Sequence, residues 1–529
     1  MDYSTGKLSF IFIVAVALSF AAAGWIARRY RASMRSLMSA PVAATATSPL
    51  AWAMRAGEMP TPAPVSSNDN RHAGRRLVLL LVALSCLMAF TSAALQLHFS
   101  EHAPAVTFKR LLPLALVHLW PVIPALGLMW RWSRWRVLGA LLCWCVLCFV
   151  VLLWRSIEPR PAELVVYLAS EIGAPLVLVA LLCLGDATRA IAPWLLPPII
   201  GLVWASIAGI DALGLLVQRR PSWLMALPDW LRPEMTMLLF ALLPWLLAWW
   251  PLRWLGRWLG RAYAAKQFSE LMVLFMAVWG ISLLSQALSL ASHLGPGGAV
   301  MLLPLAWIPL VMALNRRLQG NRERPPTLLV LRVFQHDARV QALFDHVIER
   351  WRLTGNTLLM AGTDLVERTL DAGDIFTFLD GQLPARFIRH AGDVARRLAE
   401  FDLAPDAEGR YRINECYAND HAWQAALVAL VQRSDVVLMD LRGFQARHAG
   451  CRYELGVLAQ APRIARVVVL TDGQTDQPAA LAAAAGAPPG RFVWLDTAHV
   501  GRAERRKVLD HLFVAAPHSE PRTTGAALR

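Results

Sequence analysis

Nine stretches within the first 314 residues are apolar over lengths close to those needed to cross roughly 30 Å of hydrocarbon, which restricts this half of the chain to membrane-spanning helices. They run at about Leu8–Ile26, Leu77–Leu97, Leu111–Trp130, Val137–Trp154, Leu164–Leu184, Ile191–Val217, Met237–Trp250, Phe268–Leu290 and Val300–Leu314. The seventh is short and contains Pro244, so the count depends most on it. The first is followed, not preceded, by its basic cluster, as in an uncleaved anchor rather than a signal peptide.

The charge distribution predicts an orientation. Residues 1–324 carry 28 Lys+Arg against 13 Asp+Glu, whereas residues 325–529 carry 24 of each, so the whole excess of positive charge lies in the apolar half. A nucleic-acid-binding module would put its basic surface in the soluble part, so nucleic acid is not an expected partner. Basic residues in short loops instead report topology. With the N-terminus outside, 20 of the 28 fall on the cytoplasmic side, and an odd number of spans delivers the C-terminal region to the cytoplasm. The expected location is a plasma (bacterial inner) membrane, with the bilayer as one partner. Trp130, Trp132, Trp135, Trp249, Trp250, Trp254 and Trp258 crowd segment ends beside Arg and read as interfacial anchors.

The expected organisation is a transmembrane domain over 1–324 with a flexible cytoplasmic loop near 40–74, an α/β domain over 325–515, and a disordered tail over 516–529. Five of seven cysteines lie in apolar segments, and Cys416 and Cys451 are far apart, so neither a disulfide framework nor a metal site is expected. Within the spans, Glu171, Asp211 and His118 are the ionisable residues that invite a functional reading. Glu171 and Asp211 suggest a polar site between the fifth and sixth spans; the alternative is a protonated or paired Glu171 and an interfacial Asp211.

After Pro325–Pro326 the pattern changes to short apolar runs alternating with amphipathic helices, the signature of a parallel sheet covered on both faces. The runs are Leu328–Phe334, Thr357–Met360, Val436–Met439, Val467–Leu470 and Phe492–Leu495, with helices over 338–352 and Trp423–Gln432. Each run is followed within a few residues by an aspartate: Asp337, Asp364, Asp440, Asp472 and Asp496. Ligands of open parallel sheets bind beyond the carboxyl ends of strands, so these acids are candidates for one crevice; Asp is equally an ordinary turn former and helix cap. Past the strand ending at Asp440, Arg442 is placed to meet a phosphate and Phe444 to stack on a base. The long stretch Glu367–Asp420, with a turn around Gly409, reads as a decoration of the sheet edge; its Cys416 and His421 read as structural.

Two pieces carry a family resemblance. LLVLRVFQHDAR resembles the first strand of a TIR domain and its Asp-x-Arg, matched by Asp337 and Arg339, and SDVVLMDLRGFQARHAGCRYEL resembles the fourth strand and the Ser-x-Trp-Cys-x-x-Glu-Leu helix, matched by Cys451, Glu454 and Leu455. His448 stands where that motif has Ser and Gly450 where it has Trp. The resemblance covers roughly 190 residues and implies a TIR-like, flavodoxin-like, mostly parallel sheet. With GTDLVERTLDAGDIFTFLDG, the pattern also resembles a group of bacterial multi-pass membrane proteins that carries no assigned activity. In catalytic TIR domains the matching glutamate contacts the ribose of NAD and helps release nicotinamide. The resemblance therefore implies Glu454 as the catalytic residue, with Asp337, Arg339, Asp440, Arg442 and Phe444 around the ligand, NAD or a related nucleotide as substrate, and no required cofactor.

Three functions remain open on the sequence: a membrane sensor whose TIR-like domain binds a nucleotide and hydrolyses NAD, a non-enzymatic receptor that self-associates or recruits a cytosolic partner, and a transporter using Glu171 and Asp211. An acid near a helix start is also favoured by the helix dipole alone. Cys451 reads either as a thiol activated at a helix start or as a small residue packed beneath the loop.

Overall fold

The computed structural model describes residues 5–38, 64–100, 105–130, 132–155, 160–182, 186–219, 233–319, 324–332, 346–361, 372–418, 422–497 and 501–513. The chain divides into two compact units, one of Met1–Met34, Leu79–Leu314 and Thr369–Leu383, the other of Arg35–Val78, Asn315–Arg368 and Pro384–Arg529.

Seven helices among the described residues, most of their length in the first unit, are long and apolar enough to cross a membrane: Phe10–Leu37, Ser67–Phe99, Arg134–Arg155, Ala190–Arg219, Met235–Ala264, Glu270–Ala291 and Gly297–Leu318. The seventh expected stretch is part of an uninterrupted helix, Pro233–Ala264, that carries both Pro244 and Pro251 in its interior. The expected third and fifth stretches are built from shorter pieces. The third consists of Phe108–His118 and Val122–Met129, broken at Leu119–Pro121. At the break the Leu116 carbonyl accepts from the Leu119 amide at 3.2 Å and from the Trp144 indole of the next helix at 3.3 Å. A backbone irregularity at such depth persists only where neighbouring protein satisfies it. The fifth consists of Pro161–Leu168, a π-helical turn Ala169–Gly173 and Ala174–Leu182. Glu270–Ala291 is the most enclosed of the seven spans and Met235–Ala264 the most exposed, presenting Leu246, Leu247, Trp249, Trp250 and Trp254 outward. The basic side chains beside the tryptophans lie over them, Arg136 at 4.4 Å from the Trp132 ring and Arg253 at 5.7 Å from that of Trp249.

The short helix Ala372–Leu379, from the GDIFTFLDG stretch, belongs to this apolar unit. Its Phe376 is fully buried among Trp194, Tyr263 and Phe268, with ring centroids 5.7, 5.4 and 5.8 Å away. Gly260 permits the approach: a Cβ there would lie 2.8 Å from the Phe376 carbonyl oxygen.

The second unit is built on a seven-stranded sheet of β1 (Thr327–Arg332), β2 (Asn356–Ala361), β3 (Phe387–Ile388), β4 (Ile413–Ala418), β5 (Val436–Asp440), β6 (Arg466–Thr471) and β7 (Phe492–Asp496). The order is β3-β4-β2-β1-β5-β6-β7 and every pairing is parallel. Without the two-residue edge strand β3 the order is the doubly wound 3-2-1-4-5-6, within which β2-β1-β5-β6-β7 alone run 2-1-3-4-5; the switch point lies between β1 and β5. All five expected runs are strands, and β3 and β4 are additions within the long stretch before Asp420. β1, β5 and β6 are buried along nearly their whole length, as covered parallel strands must be. β4 alternates instead; its Asn414 side chain accepts from the Asp402 amide at 2.7 Å and donates to the Asp402 carbonyl at 2.9 Å. The turn before β4 has Gly409 at φ 93°, closed by Gly409 N–H to the Asp406 carbonyl at 2.9 Å.

Candidate functional site

β1 and β5 end side by side at the switch point, with Arg332 and Asp440 as register partners. The side chain of Asp440 is 2% exposed and turns back on its own loop. Arg442 meets it with two parallel bonds, Nε to Oδ1 and Nη2 to Oδ2, both 2.9 Å, and the Arg442 amide adds a third at 3.1 Å. This is the bidentate geometry of a strong charge-assisted pair. Arg442 is itself buried, with Nε and Nη2 committed to Asp440 rather than offered to a phosphate.

The loop is fixed from a second side. Gly443, at φ 68°, donates its N–H to Asp472 Oδ1 at 3.0 Å, and Thr475 Oγ1 bridges Asp472 and the Leu441 carbonyl at 2.8 and 3.1 Å. The Asp476 amide donates to the Phe444 carbonyl at 2.9 Å. Phe444 consequently sits fully inside the core with Leu441 and Cys451, so a base would reach its ring only after the loop opened. Asp440 and Asp472 thus act as turn formers, Asp496 lies exposed at the end of β7, and Asp337, Arg339, Asp364 and His421 fall outside the described residues.

The helix Ala449–Gln460 follows that loop and turns Cys451, Leu455 and Leu458 toward the sheet. Glu454 shares this stripe, three residues after Cys451 and four before Leu458. Its Oε2 is enclosed and takes no hydrogen bond. Desolvation accordingly raises its carboxyl from the ordinary 4.5 to about 8. An acid shifted by burial, on the helix that follows β5, is a candidate functional group. Cys451 is buried, and desolvation, followed by the Glu454 charge, pushes its thiol up to about 12, which leaves it a packing residue rather than a nucleophile. Cys416, on β4, is also a core residue whose thiol burial raises to about 12. His448 occupies the helix N-cap without a side-chain cap bond, its Nδ1 accepting instead from the Gln445 amide at 3.1 Å.

The Glu454 shift fixes a pH dependence. Between 4.5 and about 8 the folded protein holds a proton that the unfolded chain has lost, so stability is full below this window and falls as pH rises through it. Thermal unfolding of the full chain in detergent is expected to show a midpoint that declines from mildly acidic to mildly alkaline pH. In Glu454→Gln that decline should flatten; an unchanged slope would remove the buried acid from the account.

The membrane acids do not meet. Asp211 pairs with Lys7 at 3.0 Å, both side chains about one-third exposed. Glu171, in the π-helical turn, instead faces Gln96, whose Nε2 lies 3.5 Å from its Oε1. Gln96 and Gln286, partners of His118, were not singled out by the sequence reading. An amide inside an apolar run is the signal that finds them, because it too must be satisfied in the absence of water.

No group of three or more metal-ligating side chains occurs among the described residues. Comparison of the chain with protein-family models, with curated proteins and with solved structures gave no match.

Proposed function

We propose that the chain is a bacterial plasma-membrane signalling protein, with its N-terminus outside and its α/β unit in the cytoplasm, in which a TIR-like domain binds a nucleotide and hydrolyses NAD at Glu454. The third and fifth stretches, each in two pieces, complete nine spans in this reading. The observation that carries it is the Glu454 carboxyl, with Oε2 enclosed and taking no hydrogen bond, on the helix that follows β5 of a parallel sheet. Ionised next to a ribose, such a group orients the sugar hydroxyls and stabilises oxocarbenium-like charge as nicotinamide leaves with the bonding electrons and water adds at the anomeric carbon. The TIR-like motif lacks its Trp at Gly450, but the Trp423 indole approaches to 4.0 Å from where a Gly450 Cβ would stand and meets Tyr453 edge-on, so an indole from the preceding helix fills that neighbourhood. Full-length protein in detergent, incubated with NAD, is expected to release nicotinamide; none released would exclude the reaction.

A second reading, a non-enzymatic receptor or scaffold, draws on the commitment of Arg442 to Asp440 and the burial of Phe444, which leave two of the expected ligand contacts satisfied by the protein itself. A partner captured by crosslinking that persists in Glu454→Ala would favour it. A transporter built on Glu171 and Asp211 has less support, since the two acids belong to separate contacts.

A further inference from the structure

Four apolar segments of the membrane unit contribute to one polar chain, fully buried at His118 and Gln286. Gln286, on Glu270–Leu294, places Nε2 2.8 Å from His118 Nδ1 and 3.5 Å from Ser282 Oγ. His118, at the end of Phe108–His118, places Nε2 2.6 Å from Oε1 of Gln96 on Ser67–Phe99. Gln96 Nε2 in turn lies 3.5 Å from Glu171 Oε1 in the π-helical turn. His118 is 2% exposed and Gln286 is 7% exposed.

The donors run in one direction. An amide oxygen only accepts, so His118 Nε2 carries the proton toward Gln96; an amide nitrogen only donates, so Nδ1 accepts from Gln286. His118 is therefore neutral in this arrangement, and the chain ends at the Glu171 carboxyl. At its other end Gln286 Oε1 is buried and accepts nothing. Rotating that amide by half a turn would bring Oε1 to Nδ1, the partner a protonated imidazole requires. Glu171 sits where the helix widens into a π turn, a distortion often found at functional sites. An acid, an imidazole and an idle acceptor in one apolar bundle are costly unless used.

We propose that Glu171, Gln96, His118 and Gln286 form a proton-binding site within the membrane unit. It takes one proton from water, shared between Glu171, as a carboxylic acid, and His118, with the Gln286 amide turning to accept from the protonated ring. Uptake converts a carboxylate and a neutral imidazole into either a carboxylic acid or an ion pair, so the cluster changes by one charge and needs no other reactant. Titratable groups packed near it among the described residues include Tyr167, which interacts electrostatically with Glu171, and, on the Arg134–Arg155 helix, Cys148, whose thiol reaches the Leu116 carbonyl, and Cys145, which interacts with Cys148. Asp211 is paired with Lys7.

Infrared titration of the full-length protein in detergent tests this. The expected result is a carboxylic C=O band that appears as pH falls and is missing in Glu171→Gln. Its midpoint should move toward acid by about one pH unit, a tenfold change in proton affinity, in Gln286→Met, which lacks the waiting acceptor. A cluster that merely packs the bundle would show no such band, or one whose midpoint is the same in Gln286→Met, and either result overturns the proposal. If Glu171→Gln does not fold, the comparison of the wild-type midpoint with that of Gln286→Met still decides.

Discussion

Asp440→Ala is expected to destabilise the α/β unit by about 3–5 kcal/mol, the cost of leaving one member of a buried ion pair without its partner. Arg442 would remain in the core with three hydrogen bonds broken at once, those donated by Nε, Nη2 and its own amide. Because the same loop is tied to the residues after β6 through Gly443 and Asp472, the damage should spread to the start of the Ala449–Gln460 helix. Urea unfolding of the full chain in detergent measures the loss. Combining Asp440→Leu with Arg442→Met, which removes both charges and fills the space, should recover most of it. A single-variant loss below about 1 kcal/mol, the level of an exposed pair, would show that the pair is solvated.

Glu454→Ala is expected to lower nicotinamide release by at least about 100–1000-fold, the scale lost when a preorganised charge-stabilising group is removed from an enclosed site. The protein should stay folded, because Glu454 Oε2 makes no hydrogen bond that the fold would miss. Activity and stability thus move in opposite directions at this position: Glu454→Gln removes the cost of an ionised buried carboxyl at alkaline pH while removing the charge the reaction uses. Loss of both fold and activity would make Glu454 a structural residue.

The parts of the architecture that repeat a physical pattern were legible in the sequence. β1, β5 and β6 are continuous apolar runs, and Arg136 lies over Trp132 at a helix start, whereas Arg253 lies over Trp249 within the helix Pro233–Ala264, which runs on past the expected segment end. β4 was not legible, because Asn414 and Glu415 interrupt its apolar character; the fold satisfies them locally, Asn414 with the Asp402 backbone and Glu415 with the Tyr417 hydroxyl at 2.6 Å. The interruptions at Leu119–Pro121 and at the π turn were hidden for the opposite reason, since hydropathy reads composition and not the path of the backbone. Glu454 stood out as an acid in a helix, but its isolation depends on neighbours that spacing does not place. The engagement of Arg442 by Asp440, two residues earlier, follows from a turn whose closure rests on Asp472, just past the next strand.

The central claim is that Glu454 waits as an acid and works as a carboxylate against a positively charged nicotinamide. Binding of that ring to the enclosed site should ionise Glu454, which holds its proton up to about pH 8. Calorimetric titration of the full-length protein in detergent with a carbocyclic NAD analogue, whose glycosidic bond resists cleavage, in buffers of different ionisation enthalpy, counts the protons released. The account predicts release of close to one proton per bound ligand near neutral pH, and none in Glu454→Gln. No binding, or binding with the same proton release in Glu454→Gln, would contradict it.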